Sequence, residues 1–364
     1  MLILNLILIL LFLKKELSMR CKMLTKKQEQ SISFFLARSM GLGIGISNLF
    51  NLAGKDTWIA MILGTFIGIF ILAIISYVFN NNKDFLDILK KKTIFNYLIK
   101  FIYLFFIMTI IIINFSSFTS LVTSFLLPYT PAFLVTIPFV ILLIMISEKG
   151  LKVIGRIAEI LFPICLIINI IKTLLLARYS NFDFFFPIMT TNIKDILMAS
   201  IIFGILSSIP FIFLMDEKIK LKENIKNYLI SSIISLIVVC NITSVLGEEL
   251  AKIFSFPEYV VLRKIKFFNF LENIENLIAG IWLIDLFMTE AMVVVKTKEL
   301  FTKKPYIAYI ILIVLSLIVD FIIIDDFSHT MFIYKEFMYI LTIISSIFLI
   351  LLLIKKQTLK NTEN

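Results

Sequence analysis

Residues 57–79 read TWIAMILGTFIGIFILAIISYVF, a run with no charged residue, entered through Lys55 and Asp56 and left towards Lys83 and Asp84. A hydrocarbon core about 30 Å thick needs about 20 apolar residues at a rise of about 1.5 Å each, so this run has the length of a membrane-spanning helix. Working outward, comparable runs lie at 30–50, 97–126, 131–147, 153–177, 196–215, 227–246, 270–295, 306–324 and 331–354. They are too long for strands and lack period-two alternation, which excludes a barrel. The whole chain agrees: of its 364 residues 60% are hydrophobic, 16% are charged and 37 are Phe, with a mean hydropathy of +1.01. Soluble domains run at about 45–50% apolar and about 25% charged. The fold class expected is an all-α polytopic membrane protein of ten helices.

Residue types also remove whole classes of chemistry. The single histidine, His329, leaves no His-based metal or triad arrangement, and Cys21, Cys165 and Cys240 form neither a disulfide framework nor a CxxC zinc pattern. No GxxxxGK[ST] loop is present for an ATP motor. No catalytic constellation, metal site or cofactor is therefore expected, and an enzyme is the weakest of the functional classes.

Lysine and arginine fix the orientation. With both termini in the cytoplasm, 25 of them fall in inside segments and eight in outside loops, leaving Arg38 and Lys172 within spans. This asymmetry and the even number of spans follow the positive-inside rule. The net charge of +10 is thus a matter of topology, and no nucleic-acid partner is implied. A cysteine at Lys90 should label only from the cytoplasm and one at Lys252 only from outside; labelling from one face would overturn ten spans. Residues 1–22 read as a dispensable extension or an upstream start, with Met19 and Met23 as later starts. Residues 23–356 read as one transmembrane domain and 357–364 as a short cytoplasmic tail.

Two spans carry helix-breaking residues. The first holds Gly41-Leu42-Gly43-Ile44-Gly45, followed by Ile46, Ser47 and Asn48; the sixth holds Gly204-Ile205-Leu206-Ser207-Ser208-Ile209-Pro210. Glycine lets a membrane helix unwind where its backbone lines a cavity, and proline removes a donor and strains the preceding turn. Close packing through small residues and a simple proline kink are the competing explanations. The breaks fall at matching positions of two five-helix halves, and five being odd, the halves must be inverted. Inverted-repeat transporters have this layout, with the solute at the midplane between discontinuous helices 1 and 6. For an amino acid, amides near Gly41, Gly43, Gly45 and Ile46 would meet the carboxylate. Oxygens near Gly204, Ser207, Ser208 and Pro210 would meet the ammonium.

Ionisable groups inside spans are costly, about 2.5–3.5 kcal/mol each on insertion scales, and face the bundle or water. Asp285 is expected in such a cavity, with Asn114 and Ser117 either lining it or bonding to neighbouring helices. Asp285 and Glu290, at i and i+5, cannot comfortably share a face. Arg38, about two turns into the first span, is expected either to snorkel to the cytoplasmic side or, from its depth, to meet a buried partner. Lys172, near the outer end of its span, is expected to snorkel outward, with a coupling-ion or proton site as the alternative.

Several motifs together resemble one family. They are Ala53-Gly54-Lys55-Asp56-Thr57-Trp58, Thr130-Pro131, Gly150-Leu151-Lys152 with Arg156, Glu159 and Pro163, Phe186-Pro187, and Phe256-Pro257 with Arg263. The last is Phe270-Leu271-Glu272-Asn273-Ile274-Glu275 with Trp282. From about Leu24 onward the chain resembles the B-subunit membrane proteins of GerA-type spore germinant receptors, in the amino acid/polyamine/organocation transporter superfamily. One departure is Asn273, where that family often has arginine. The resemblance implies a subunit in the spore inner membrane that binds a small germinant, commonly an amino acid, beside A-type and C-type subunits. The alternative is a secondary amino-acid transporter coupled to protons or sodium.

Overall fold

The computed structural model describes residues 24–39, 44–79, 93–217, 221–265, 274–324 and 327–361, and every regular element among them is helical. The expected extension at 1–22, Gly41, Gly43 and Glu272 lie outside the described residues. The first span is two helices, α1 (Lys26–Ser39) and α2 (Ile44–Ala53). α3 (Thr57–Phe79) is the second span, and α4 (Ile94–Leu121), closed by a π-helical turn at Val122–Leu126, is the third. α5 (Ala132–Lys149) and α6 (Leu151–Ala177) are joined through Gly150, whose φ of +82° lets the chain reverse in one residue. α7 (Ile193–Ser208) gives way to a 3₁₀ segment, Ile209–Glu217, at Pro210. α8 (Leu221–Ile253) bends at Gly247, with φ +72°, and the short α9 (Pro257–Leu262) follows. α10 (Ile274–Leu300), α11 (Tyr306–Ile318) and α12 (Phe327–Asn361) complete the chain, and α12 runs into the stretch expected to be a tail.

The ten expected spans each correspond to one or more of these elements, and the sixth is interrupted at Pro210 as expected, while the break expected in the first span centres on Gly41 and Gly43, which lie outside the described residues. Eight helices among the described residues are long and apolar enough to cross a membrane. Caps mark the entries: the Thr93 side chain accepts from the Asn96 amide and Asn192 from the Lys194 amide.

The packing repeats after five spans. The first span packs on the fifth and seventh (α1 on α6 and α8), and the sixth packs on the tenth and second (α7 on α12 and α3). The third meets the tenth and the eighth the fifth; likewise the fourth meets the eighth and the ninth the third. This is the five-plus-five relation.

Large apolar side chains such as Phe66, Phe70, Phe101 and Leu174 are exposed on the outside, while Arg38, Asp285 and Glu290 are buried inside. In lipid the apolar exterior needs no cover, so close packing must hold the helices. Backbone meets backbone between α3 and α7, where a Cβ at Gly64 would stand 2.7 Å from the Ser200 carbonyl oxygen and one at Gly204 2.7 Å from that of Gly64. Many hydroxyls serve their own helix: Ser31, Thr65, Thr109, Ser200 and Thr243 each bond to the carbonyl four residues back.

Candidate functional site

α1 ends at Ser39, which is buried inside the bundle. Ser39 there lines a cavity of about 10 Å³ with Ser117 and Leu121 of α4, Phe256, and Trp282, Asp285 and Leu286 of α10. Helical spacing explains the lining: Ser117 and Leu121 are i and i+4, and Trp282, Asp285 and Leu286 are i, i+3 and i+4. That volume holds about one water molecule. The arrangement is closed around a point rather than open to a solute.

Beside the cavity, Arg38 Nη2 lies 3.3 Å from Asp285 Oδ2, with both side chains fully buried. Their geometry satisfies charge but not hydrogen bonding. None of the three guanidinium nitrogens donates to a protein acceptor, and neither Asp285 oxygen receives a hydrogen bond. The guanidinium also stands over the Phe34 ring at 4.7 Å. Buried ions lose several kcal/mol of solvation each, and a pair without hydrogen bonds recovers that loss incompletely. Donors and acceptors of opposite charge therefore lie side by side with capacity left over. Ser47 Oγ, just past the break in α2, is likewise buried and unbonded.

Lys172 is buried rather than snorkelling: it is 3% exposed, and its Nζ donates to Asn169 Oδ1 at 3.0 Å. Packing of α6 against α1 turns this position inward. Around α9, Phe256 and Tyr259 pack on Phe125 with ring centroids 5.7 and 4.4 Å away, and Tyr259 Oη donates to Asn276 Oδ1 at 2.6 Å. Burial, aided by Glu275 and opposed by Arg263, pushes the Tyr259 phenol up, so it remains a donor.

The positions singled out from sequence are dispersed. Ser117 and Asp285 meet at the cavity, whereas Asn114, one turn from Ser117, bonds instead to Glu290. Gly45 and Ile46 are buried at the start of α2. Gly204 faces α3, Ser207 Oγ bonds to the Phe203 carbonyl at 2.6 Å and to Tyr228 Oη at 2.9 Å, and Ser208 Oγ donates to the Gly204 carbonyl at 2.6 Å. Pro210 lies in the 3₁₀ segment. Ser39, Phe256 and Leu286 are lining residues that sequence reasoning did not select. The i, i+3, i+4 row around Asp285 was the available signal for Leu286. Ser207→Ala should lower stability by about 1 kcal/mol through the lost bond to Tyr228, read from thermal unfolding; no change would mean that this bond contributes nothing net to the fold.

A protein-family profile described as "Spore germination protein" matches residues 28–328. The chain belongs to the spore germination protein family. Among curated relatives, it is similar to spore germination protein KB of Bacillus subtilis (strain 168), with 25% identity over 277 residues, 70% of this chain and 73% of that one. It is also similar to the YfkT protein of the same strain, likewise named for spore germination, with 25% identity over 170 residues, 46% of this chain and 47% of that one. As a member of the spore germination protein family with eight long apolar helices, it is an integral membrane protein related to germination.

Proposed function

We propose that this protein is the membrane subunit of a spore germinant receptor, located in the spore inner membrane, that binds a small zwitterion of the amino-acid type where the first span breaks. One observation carries the reading: the buried Arg38–Asp285 pair, with unused hydrogen-bonding capacity on both partners, beside a cavity. An amino acid presents a carboxylate that needs donors and an ammonium that needs acceptors. The guanidinium can take the first bidentately and Asp285 the second, while amides freed near Gly41, Gly43, Gly45 and Ile46 add donors at a helix start. The described cavity is far smaller than any amino acid, so binding must part α10 from α1. Such an opening is a signal that A-type and C-type subunits can read. The residues brought together near the pair serve recognition and supply no catalytic constellation.

The test is a dose-response curve for germination with individual amino acids in spores carrying Gly45→Val at matched protein level. The variant places a branched side chain at the buried start of α2, and the response should be abolished. A wild-type curve would remove the first-span break from recognition. Uptake of labelled amino acid into proteoliposomes separates the receptor from a proton- or sodium-coupled transporter: accumulation identifies a transporter.

A further inference from the structure

α10 carries a second buried carboxylate, away from the cavity. Glu290 is fully buried, and its Oε2 accepts from Asn114 Nδ2 of α4 at 2.9 Å. The other two oxygens of this contact, Glu290 Oε1 and Asn114 Oδ1, receive no hydrogen bond from the protein. A carboxamide offers one donor and one acceptor, and a carboxylate offers acceptors only, so the two groups as they face each other are short of one hydrogen. A carboxylic acid matches the amide on both sides. One proton on Oε1, donated to Asn114 Oδ1, closes a ring of two hydrogen bonds and satisfies both remaining oxygens.

The cations of the surrounding helices are engaged elsewhere. Arg38 pairs with Asp285, Lys172 with Asn169 and Lys26 with Glu223. On α10 itself, Lys296 pairs with Glu299 and Lys298 donates to the Ser147 carbonyl. Glu159 stands in the third turn of α6. Lys27 and Glu29 on α1, Lys100 on α4, Glu148 and Lys149 on α5, and Lys152 and Arg156 on α6 lie in the first two or the last turns of their helices. So do Glu258 and Tyr259 on α9 and Tyr306 and Tyr309 on α11, while Asp216 and Glu217 close the 3₁₀ segment. Asp320, in the π-helical turn after α11, receives Thr136 instead. Among the described residues none forms an ion pair with Glu290.

We propose that Glu290 and Asn114 form a proton-binding site, in which Glu290 is a neutral carboxylic acid joined to the Asn114 carboxamide by two hydrogen bonds. The same helix bears Asp285 at the cavity. A shift of α10 away from α4 breaks the ring, brings the acid to water and lets its proton leave as hydronium, so proton occupancy reports the position of α10.

The experiment uses the full-length protein in nanodiscs. The infrared spectrum of the wild type at neutral pH, minus that of Glu290→Gln, should contain the carbonyl stretch of a protonated carboxylic acid. Glu290→Gln, whose amide supplies the same donor and acceptor, should melt with the wild type, and Glu290→Ala several degrees lower. Ionised carboxylate bands in the difference spectrum would overturn the proposal. So would Glu290→Gln melting as low as Glu290→Ala. A rise in wild-type melting with sodium at constant ionic strength, lost in Glu290→Gln, would assign the site to a metal cation instead and equally overturn it.

Discussion

Arg38→Met and Asp285→Leu, made singly, should each destabilise the protein by about 3–5 kcal/mol, because each leaves one ion buried without its counter-charge. Combined, they should bring stability back to that of the wild type or above it, since an apolar pair of similar volume carries no desolvation penalty. Thermal unfolding in detergent and abundance in the membrane measure this. The double variant should be well folded and blind to germinant, which separates the pair's role in recognition from its role in folding. Single variants as stable as the wild type would mean that water reaches the pair. A double variant with a normal dose response would place recognition elsewhere.

The second large effect is expected where α3 crosses α7. Gly64→Val and Gly204→Val each drive a side chain into a backbone carbonyl, which cannot swing aside as a side chain can. Overpacking costs about 1–3 kcal/mol where neighbours adjust, and here the helices themselves must separate, so each variant should lose at least the upper figure. The two sites touch, so the double variant should cost less than the sum. Gly204→Ala distinguishes packing from recognition: loss of melting temperature at unchanged dose dependence assigns the glycine to the helix crossing, and the reverse assigns it to the ligand.

The ten spans were legible because each is a run of apolar residues bounded by charges, a signal carried within twenty or so neighbours. The interruption of the sixth span was legible for the same reason: proline acts on its own turn. Partnership was harder. Arg38 announced a buried partner by its depth, and Asp285 a cavity by its charge, but nothing local joins them, since the contact depends on how α1 and α10 are rotated. Asn114 and Ser117 sit a turn apart and looked equivalent, yet one meets Glu290 and the other lines the cavity. Lys172 was misplaced by the same ignorance of rotation: its depth suited either reading, and the packing of α6 on α1 turned it inward.

The hydroxyls bonded to their own helices bear on how readily this bundle can change shape. A serine that satisfies itself on the carbonyl four residues back makes its helix face chemically smooth, and a neighbouring helix crosses that face without exchanging any partner. Resistance to shear is then concentrated at a few rivets, and two of them, Arg38–Asp285 and Asn114–Glu290, sit on α10. A bundle built this way has a low barrier to sliding along most of its surfaces and a sharp threshold at one rod, so it should switch abruptly rather than flex by degrees.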